Sequence, residues 1–332
     1  MDGKIDIYCE FGFLEKFCDA CPQTIGVPHA NVKMWSEYLD LLCGSTDIVI
    51  TDINENDYRE RCDESVVTGQ ILLMILQSHY DGKKNLKYLP NESKSMEMYE
   101  QKGKGKDYFK LREQTVFLMN RNKEECKKKE EDYGLLFISM DNYYEFSLLF
   151  SPDIQEINRD SIFWQCAKHY RHPCNTVILV DNFILKNDNE IIKKNLTSLF
   201  TSLLPFQLNE IPLKIHIFTR RYEDRTRRES ENNQKNKQKS EIIQQCIKSL
   251  NRPYSESIET KIIFINEYSD HDRYLLTNYA LFYSGYGFVL TDDQRQKGTS
   301  LSFFPITHLS SVNKENNVYR IVQNLRKRKN IK

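Results

Sequence analysis

The sequence predicts a two-domain α/β protein, with one α/β domain over residues 1–150 and a second over 151–332. Three observations carry this reading. Thr115–Met119, a charged stretch from Lys123 to Asp132, and Leu135–Ser139 read as strand, helix, strand, the unit that builds a parallel pair. From Asn175 onward, strands of the fully buried type alternate with amphipathic stretches in regular order. Between the two, Pro152 and the polar run after it mark a boundary near 151. At 332 residues the chain is long enough for two hydrophobic cores.

In the first half, Ile5–Tyr8 is a short strand, with Glu10 at or just past its end. Trp35, Tyr38, Leu39 and Leu42 have the spacing of one helix face within Val32–Cys43. Asp47–Thr51 is a second strand and Val66–Gln77 a buried helix. The polar segment Asp81–Lys106, punctuated by Gly and Pro, reads as a loop or insertion. In the second half, Ile157–Tyr170 reads as a helix anchored by Phe163 and Trp164. Thr176–Asp181 is a continuous apolar strand, and Asp188 caps an amphipathic helix running to Leu204. Leu213–Thr219 is the next strand. Arg220–Lys239 is charge-dense and reads as a mobile loop before a helix over Ile242–Leu250. Thr260–Asn266 is the third strand, and Leu301–Leu309 is one more strand-like piece with an edge-type Pro305.

Composition narrows the classes of function. Lys+Arg and Asp+Glu are both 47, so no global electrostatic pull toward nucleic acid or membrane exists and any basic surface is local. No stretch approaches the roughly 18–20 continuous apolar residues of a membrane span, and MDGKIDIYCEFGF lacks the pattern of a secretory signal. Nine widely spread cysteines, an odd number, fit free thiols in a reducing cytoplasm. Cys18 and Cys21 with His29 make half of a zinc pattern, and Cys166, His169, His172 and Cys174 crowd soft ligands into nine residues that Pro173 interrupts. Core thiols and ordinary histidines are the expectation at both places.

The first half resembles PIN-type nuclease domains over roughly residues 4–150. In that family a first strand delivers an acid, and a later strand ends in an Asn-Asp-like pair before a helix and one more strand. Glu10 stands near the first acid's slot, but Met119–Asn122 (MNRN) has no acid where one is required. Asp52, Glu55, Asp57 and Asp141 are further carboxylates. Metal-dependent hydrolysis needs several converging oxygen ligands, so the expectation here is a domain with solvated acids and no metal.

The stretch Ile262–Phe288 organises the second half. It reads as strand, short polar turn, strand, and His271 and Arg273, two apart, project from one face. With ILVDNFIL (Ile178–Leu185), KIHIFT (Lys214–Thr219), HDR (His271–Arg273) and SGYGF (Ser284–Phe288), the chain from about 175 to 290 resembles the phospholipase D superfamily. It more closely resembles the phospholipase D-like domain at the C-terminus of MIT-domain proteins. The resemblance implies His271 as a nucleophile forming a phosphohistidine, Arg273 as the cation on the equatorial oxygens, and Asn278 orienting an imidazole. Arg220 and Arg221, directly after the KIHIFT strand, and Ser284 would bind substrate. Arg225, Arg227, Arg228 and the tail Arg326–Lys329 add local basic character. A single motif requires a two-fold homodimer to complete such a site. The expected function is therefore nucleic-acid-directed, a nuclease or phosphodiesterase of the kind found in bacterial antiviral defence, needing no cofactor. The alternative is a non-catalytic dimerising scaffold that holds a phosphorylated ligand or protein partner.

Overall fold

The computed structural model describes residues 4–22, 29–44, 47–64, 66–81, 86–89, 113–143, 153–157, 164–265 and 273–305. Its first sheet contains β1 (Lys4–Glu10), β2 (Asp47–Thr51), β3 (Leu86–Leu89), β4 (Glu113–Met119) and β5 (Leu136–Ser139). They lie in the order β3-β2-β1-β4-β5, and every pairing is parallel. The period-two alternation of side chains sorts the two faces. Ile7, Cys9, Ile48, Ile50, Val116, Leu118 and Ile138 pack against the buried sides of α1 (Phe11–Asp19), α2 (His29–Gly44) and α4 (Val66–Asp81). Tyr8, Phe117, Met119 and Phe137 face the other way, toward Cys126 of α5 (Lys123–Tyr133), with Phe117 and Phe137 stacked at 4.5 Å.

Two expectations change in this half. The polar segment expected as loop from Asp81 to Lys106 contains β3, which is held in register by β2 and tolerates Lys87 because it is an edge strand. α3 (Glu55–Glu64) was not predicted, because it buries only Tyr58 and so shows no apolar period. Its local signal is Asn54, whose Oδ1 accepts the Asp57 N–H at 2.9 Å as a helix cap does.

The second sheet contains β6 (Asp153–Ile157), β7 (Thr176–Asp181), β8 (Lys214–Thr219), β9 (Glu259–Phe264), β10 (Arg273–Leu276), β11 (Ala280–Ser284) and β12 (Thr299–Pro305). Its order is β6-β12-β11-β10-β7-β8-β9, parallel from β7 to β9 and antiparallel from β7 through β6. α6 (Asn189–Leu203) and α7 (Glu229–Lys248) pack on one face against Leu179, Ile215 and Ile217. A short α8 (Asp292–Lys297) starts with a capping box between Thr291 and Gln294.

Here too the structure corrects the reading. Arg220–Lys239 is not one long loop: its second half is the start of α7. Glu, Gln and Lys are good helix formers, no Gly or Pro interrupts them, and Asn236 and Lys239 are buried where apolar residues were sought. Ile157 ends a strand rather than opening a helix, and Gln165–Tyr170 is a 3-10 turn. Trp164 is a buried anchor, while Phe163 lies outside the described residues. β9 and β10, consecutive in sequence, do not pair, because β8 and β7 stand between them. β12 is not the edge strand that Pro305 suggested: β6 and β11 flank it, and Pro305, its last residue, stands opposite Ala280 of β11, two positions past the end of the β6 pairing at Phe303.

The two α/β regions share one apolar core. Ile178, Val180, Phe218, Tyr274, Leu276 and Leu281, from the face of the second sheet away from α6 and α7, belong to the same cluster as the first sheet's Ile7 and Val116. Tyr279, in the β10–β11 turn, donates its hydroxyl proton to Thr115 O at 2.6 Å and accepts the Leu136 N–H at 3.0 Å. Asn209 and Glu210 donate to the last-turn carbonyls of α5 at Glu131 and Asp132. No helix among the described residues is long and apolar enough to cross a membrane.

Candidate functional site

β7, β8, β9 and β11 all end at one rim of the second sheet, and antiparallel β10 begins there. Arg273 consequently stands in register with Asp181. In open α/β sheets this carboxyl-end rim is where ligands gather. Arg273 donates from Nη1 to Gly285 O at 3.0 Å, and its guanidinium lies 4.9 Å from the centre of the Phe183 ring. Lys186 Nζ approaches the same ring at 4.7 Å. The Asp181 carboxylate accepts the N–H of Phe183 at 2.9 Å and of Phe288 at 2.8 Å. Burial pushes its pKa up, against the pull of those N–H groups and of the Arg273 charge. Gly287, at φ +100, is required here: a Cβ would lie 2.5 Å from Asp181 Oδ2. The Ser284 hydroxyl donates to Gly287 O, so the SGYGF stretch is a loop tied down by Ser284, Asp181 and Arg273 together.

The β8–α7 loop forms the other side of the rim. Two α7 asparagines clip it: Asn236 accepts from Tyr222 N at 2.7 Å and donates to Tyr222 O at 2.9 Å, and Asn232 does the same for Asp224. Asp224 in turn receives Thr226 and Arg227, hydrogen bonds that hold its carboxyl below the usual range. The fixed loop presents Arg221, 5.1 Å from the Phe264 ring centre, and half-buried Arg220. Lys235 and Lys239 lie 4.2 and 5.4 Å from the Tyr222 ring centre. Lys239 is buried and donates to Asn187 O; burial, then the Lys235 charge, lower its pKa. A cleft of about 340 Å³ opens between Arg221, Arg225, Arg227 and Asn233, with Glu223, Asp224 and Glu229 also on its walls and Arg227 paired with Asp224. The rim thus brings together Arg220, Arg221, Arg273 and Ser284 from the sequence-predicted set, and adds Asp181, whose carboxylate organises the loop.

Asn278 is not at this rim. It lies past the far end of β10, where its Oδ1 accepts the N–H groups of Asn175 and Thr176 at 3.1 Å each and its Nδ2 donates to Asn175 Oδ1 at 3.1 Å. His271 lies outside the described residues, two positions before Arg273.

The first sheet reverses its strand order between β1 and β4, making a second crevice. The chain's own carboxylates occupy it. Glu10 accepts Asn120 N at 2.6 Å and pairs with Arg121 at 3.4 Å, while Asp52 caps the first N–H of α1, Phe11, at 2.8 Å. Burial, opposed by the Phe11 N–H and reinforced by Glu10 and Glu15, pushes the Asp52 pKa up to about 6. The helix N-terminus, normally an anion site, is therefore already filled. Glu55 is paired with Arg59 at 2.7 Å, and Asp57 accepts from Asn54 at 2.7 Å. Asp141 is exposed. Among the described residues no three His, Cys, Asp or Glu gather as a metal shell.

Within the cysteine and histidine runs, His172, Cys18 and Cys174 are held by hydrogen bonds and packing. The His172 ring nitrogens sit 2.8 Å from Tyr170 O and 2.7 Å from Thr277 Oγ1, and burial pushes its pKa down to about 4. Cys18 and Cys174 are buried, with thiols pushed up to about 12 mainly by that burial. Cys21 and Cys166 are partly buried and His169 is exposed; the His29 side chain lies outside the described residues.

One pH prediction follows from Asp52. Its folded pKa lies above that of an unfolded aspartate, so the folded state holds the extra proton and stability falls as pH rises from about 4 through about 6. The residue as a whole is exposed although its carboxylate turns onto Phe11, so solvent screening leaves roughly 1 kcal/mol. Asp52→Asn, which keeps the acceptor oxygen, is expected to unfold at higher denaturant than wild type at pH 8. The two should coincide below pH 4; equal midpoints at both pH values would refute the assignment.

No known family model matches this chain, and no curated protein or solved structure matches it either.

Proposed function

We propose that this chain is a nucleic-acid-directed protein that holds a phosphodiester backbone at the carboxyl-end rim of its second sheet. The observation carrying the reading is the interleaving of aromatic rings with cations along that rim. Phe183 is faced by Arg273 and Lys186, Tyr222 by Lys235, and Phe264 by Arg221, while Lys239 is buried and donates to Asn187 O. In a chain of zero net charge, residues 220–239 hold eight basic side chains against four acidic ones. Cations neutralise phosphates and release their counterions, while rings beside them offer stacking surfaces.

Hydrolysis is the second reading. It is favoured by the placing of Arg273 beside Asp181 on the rim, with His271 two residues upstream. In that reading His271 attacks phosphorus and the P–O bond to the leaving oxygen breaks, while Arg273 steadies the equatorial oxygens. A second copy about a two-fold axis supplies the histidine that protonates the leaving oxygen, and water then hydrolyses the phosphohistidine. Asn278, at the other end of β10, takes no part.

Both readings are tested with labelled DNA and RNA. Affinity is expected to fall linearly with the logarithm of salt concentration. Arg221→Ala and Arg225→Ala should each lower that slope by about one and weaken binding evenly across sequences. Absence of salt-dependent binding would overturn the proposal. In the same samples, cutting that persists in EDTA and is lost in His271→Ala would establish the hydrolytic reading; binding without cutting would leave a scaffold.

A further inference from the structure

At the opposite rim of the second sheet, the segments leading into β7 and β9 bring two arginines onto one aromatic ring. The guanidinium of Arg171 lies 4.0 Å from the centre of Phe206, and that of Arg252 lies 4.9 Å from it. Phe206, held just after Pro205, is 65% exposed. Both arginines also reach the C-terminal turn of α6. Arg171 donates to Ser202 O at 3.0 Å and Thr201 O at 2.9 Å, and Arg252 donates to the same Thr201 O at 2.6 Å.

Helix capping accounts for only part of this. A helix C-terminus carries about half a negative charge, and two full positive charges converge on it. Neither guanidinium is ion-paired with a carboxylate among the described residues. Burial and the neighbouring Arg252 both depress the Arg171 pKa, as expected of a cation held beside a like charge. A single exposed phenylalanine is ordinary; one that carries two guanidiniums over its ring, neither ion-paired among the described residues, and still keeps 65% of its surface open joins a stacking surface to anion-binding groups.

A groove leads into the cluster. It is a wide, open groove of about 600 Å³ along α6 beside the 165–170 turn, lined by Lys168, Lys193 and Lys194 with Thr197 and Ser198. Its one acid, Glu190, pairs with Lys193 at 3.0 Å, so the lining keeps a net positive charge. It ends at Thr201 and Ser202, the two residues whose carbonyls hold the arginines. Over its 15 residues α6 is about 22 Å long, enough to guide several nucleotides.

We propose that the α6 groove and the Arg171–Phe206–Arg252 cluster form a second contact site, specific for single-stranded nucleic acid, with Phe206 stacking an unpaired base and the two arginines taking the adjacent phosphates. The site deepens the nucleic-acid reading and rests on it. A duplex keeps its base faces stacked internally and has none to offer Phe206, so strandedness is what this end of the molecule selects.

The test is fluorescence anisotropy of a labelled single-stranded oligothymidylate and of the same strand in duplex form. Phe206→Ala is expected to weaken single-strand binding by roughly tenfold and leave duplex binding unchanged. Phe206→Trp is expected to keep or strengthen it, and Arg171→Lys, which preserves charge but loses the planar fork, to weaken it. Phe206 is exposed, so its replacement does not threaten folding. Unchanged single-strand affinity in Phe206→Ala, with wild-type binding intact and Arg221→Ala impaired, would overturn this site alone. Absence of any wild-type binding would instead overturn the nucleic-acid reading on which it rests.

Discussion

Replacing Asn278 with alanine is expected to lower folding stability by about 3 kcal/mol while leaving nucleic-acid affinity per folded molecule unchanged. The side chain is buried and makes three hydrogen bonds, two of them from the main-chain N–H groups of Asn175 and Thr176 that open β7. Alanine would strand both N–H groups away from water, and a buried donor left without an acceptor costs about 1–3 kcal/mol. Asn278→Asp keeps the acceptor oxygen; only when ionised does it lose the donor to Asn175 Oδ1 and add a buried charge. It should fall between wild type and alanine below the carboxylate's pKa and destabilise above it. Chemical denaturation at two pH values reads all three proteins. A stable alanine variant that loses binding or cleavage would return Asn278 to the orienting role that its spacing from His271 implies.

Tyr279→Phe is expected to loosen the two sheets from each other, at a cost of about 2 kcal/mol. Its hydroxyl satisfies Thr115 O and Leu136 N, main-chain groups at the starts of β4 and β5 in the other half of the protein. The phenyl ring would still fill the space, so the loss isolates the polar contact. The chain's two tryptophans fall one in each half: Trp35 is buried against Phe17, and Trp164 against Phe288. Single-tryptophan backgrounds therefore report each half separately. In the wild type, the shared core should make both probes unfold together. In Tyr279→Phe the two transitions should move apart. Coincident curves at an unchanged midpoint would show that the hydroxyl couples nothing.

Much of the architecture was legible because it rests on local pattern. TVFLM, LLFIS and TVILVD are largely apolar in both half-periods, as strands covered on both faces must be, KIHIFT is apolar at Ile215, Ile217 and Phe218, and each is a strand in the structure. The helix at Asp188–Leu204 announced itself through its apolar stripe, which faces the core. α7 and β3 were less visible because their stabilising contacts are not apolar in sequence. Asn236 and Lys239 are buried on α7 through hydrogen bonds, and β3 needs β2 beside it to be a strand. β6 lay hidden for a similar reason: in DIQEI the two isoleucines are three apart, with Ile154 exposed, so no period-two apolar pattern marks an edge strand that only β12 reveals.

The candidate site divides along the same line. Sequence alone determined that basic residues follow β8 and that Arg273 opens a strand, since both depend only on neighbouring residues. It could not place Asn278. A short interval along the chain suggested a shared site, but β10 is extended at about 3.3 Å per residue, so an asparagine five positions on from Arg273 is carried to the opposite end of the sheet. Nor could it bring Arg171 and Arg252, 81 positions apart, to the same carbonyl beside Phe206. Those groups meet because β7 and β9 run parallel, so the segments entering them arrive at one rim and the segments leaving them at the other. Local chemistry was written in the sequence; which charges share a rim was decided by strand direction.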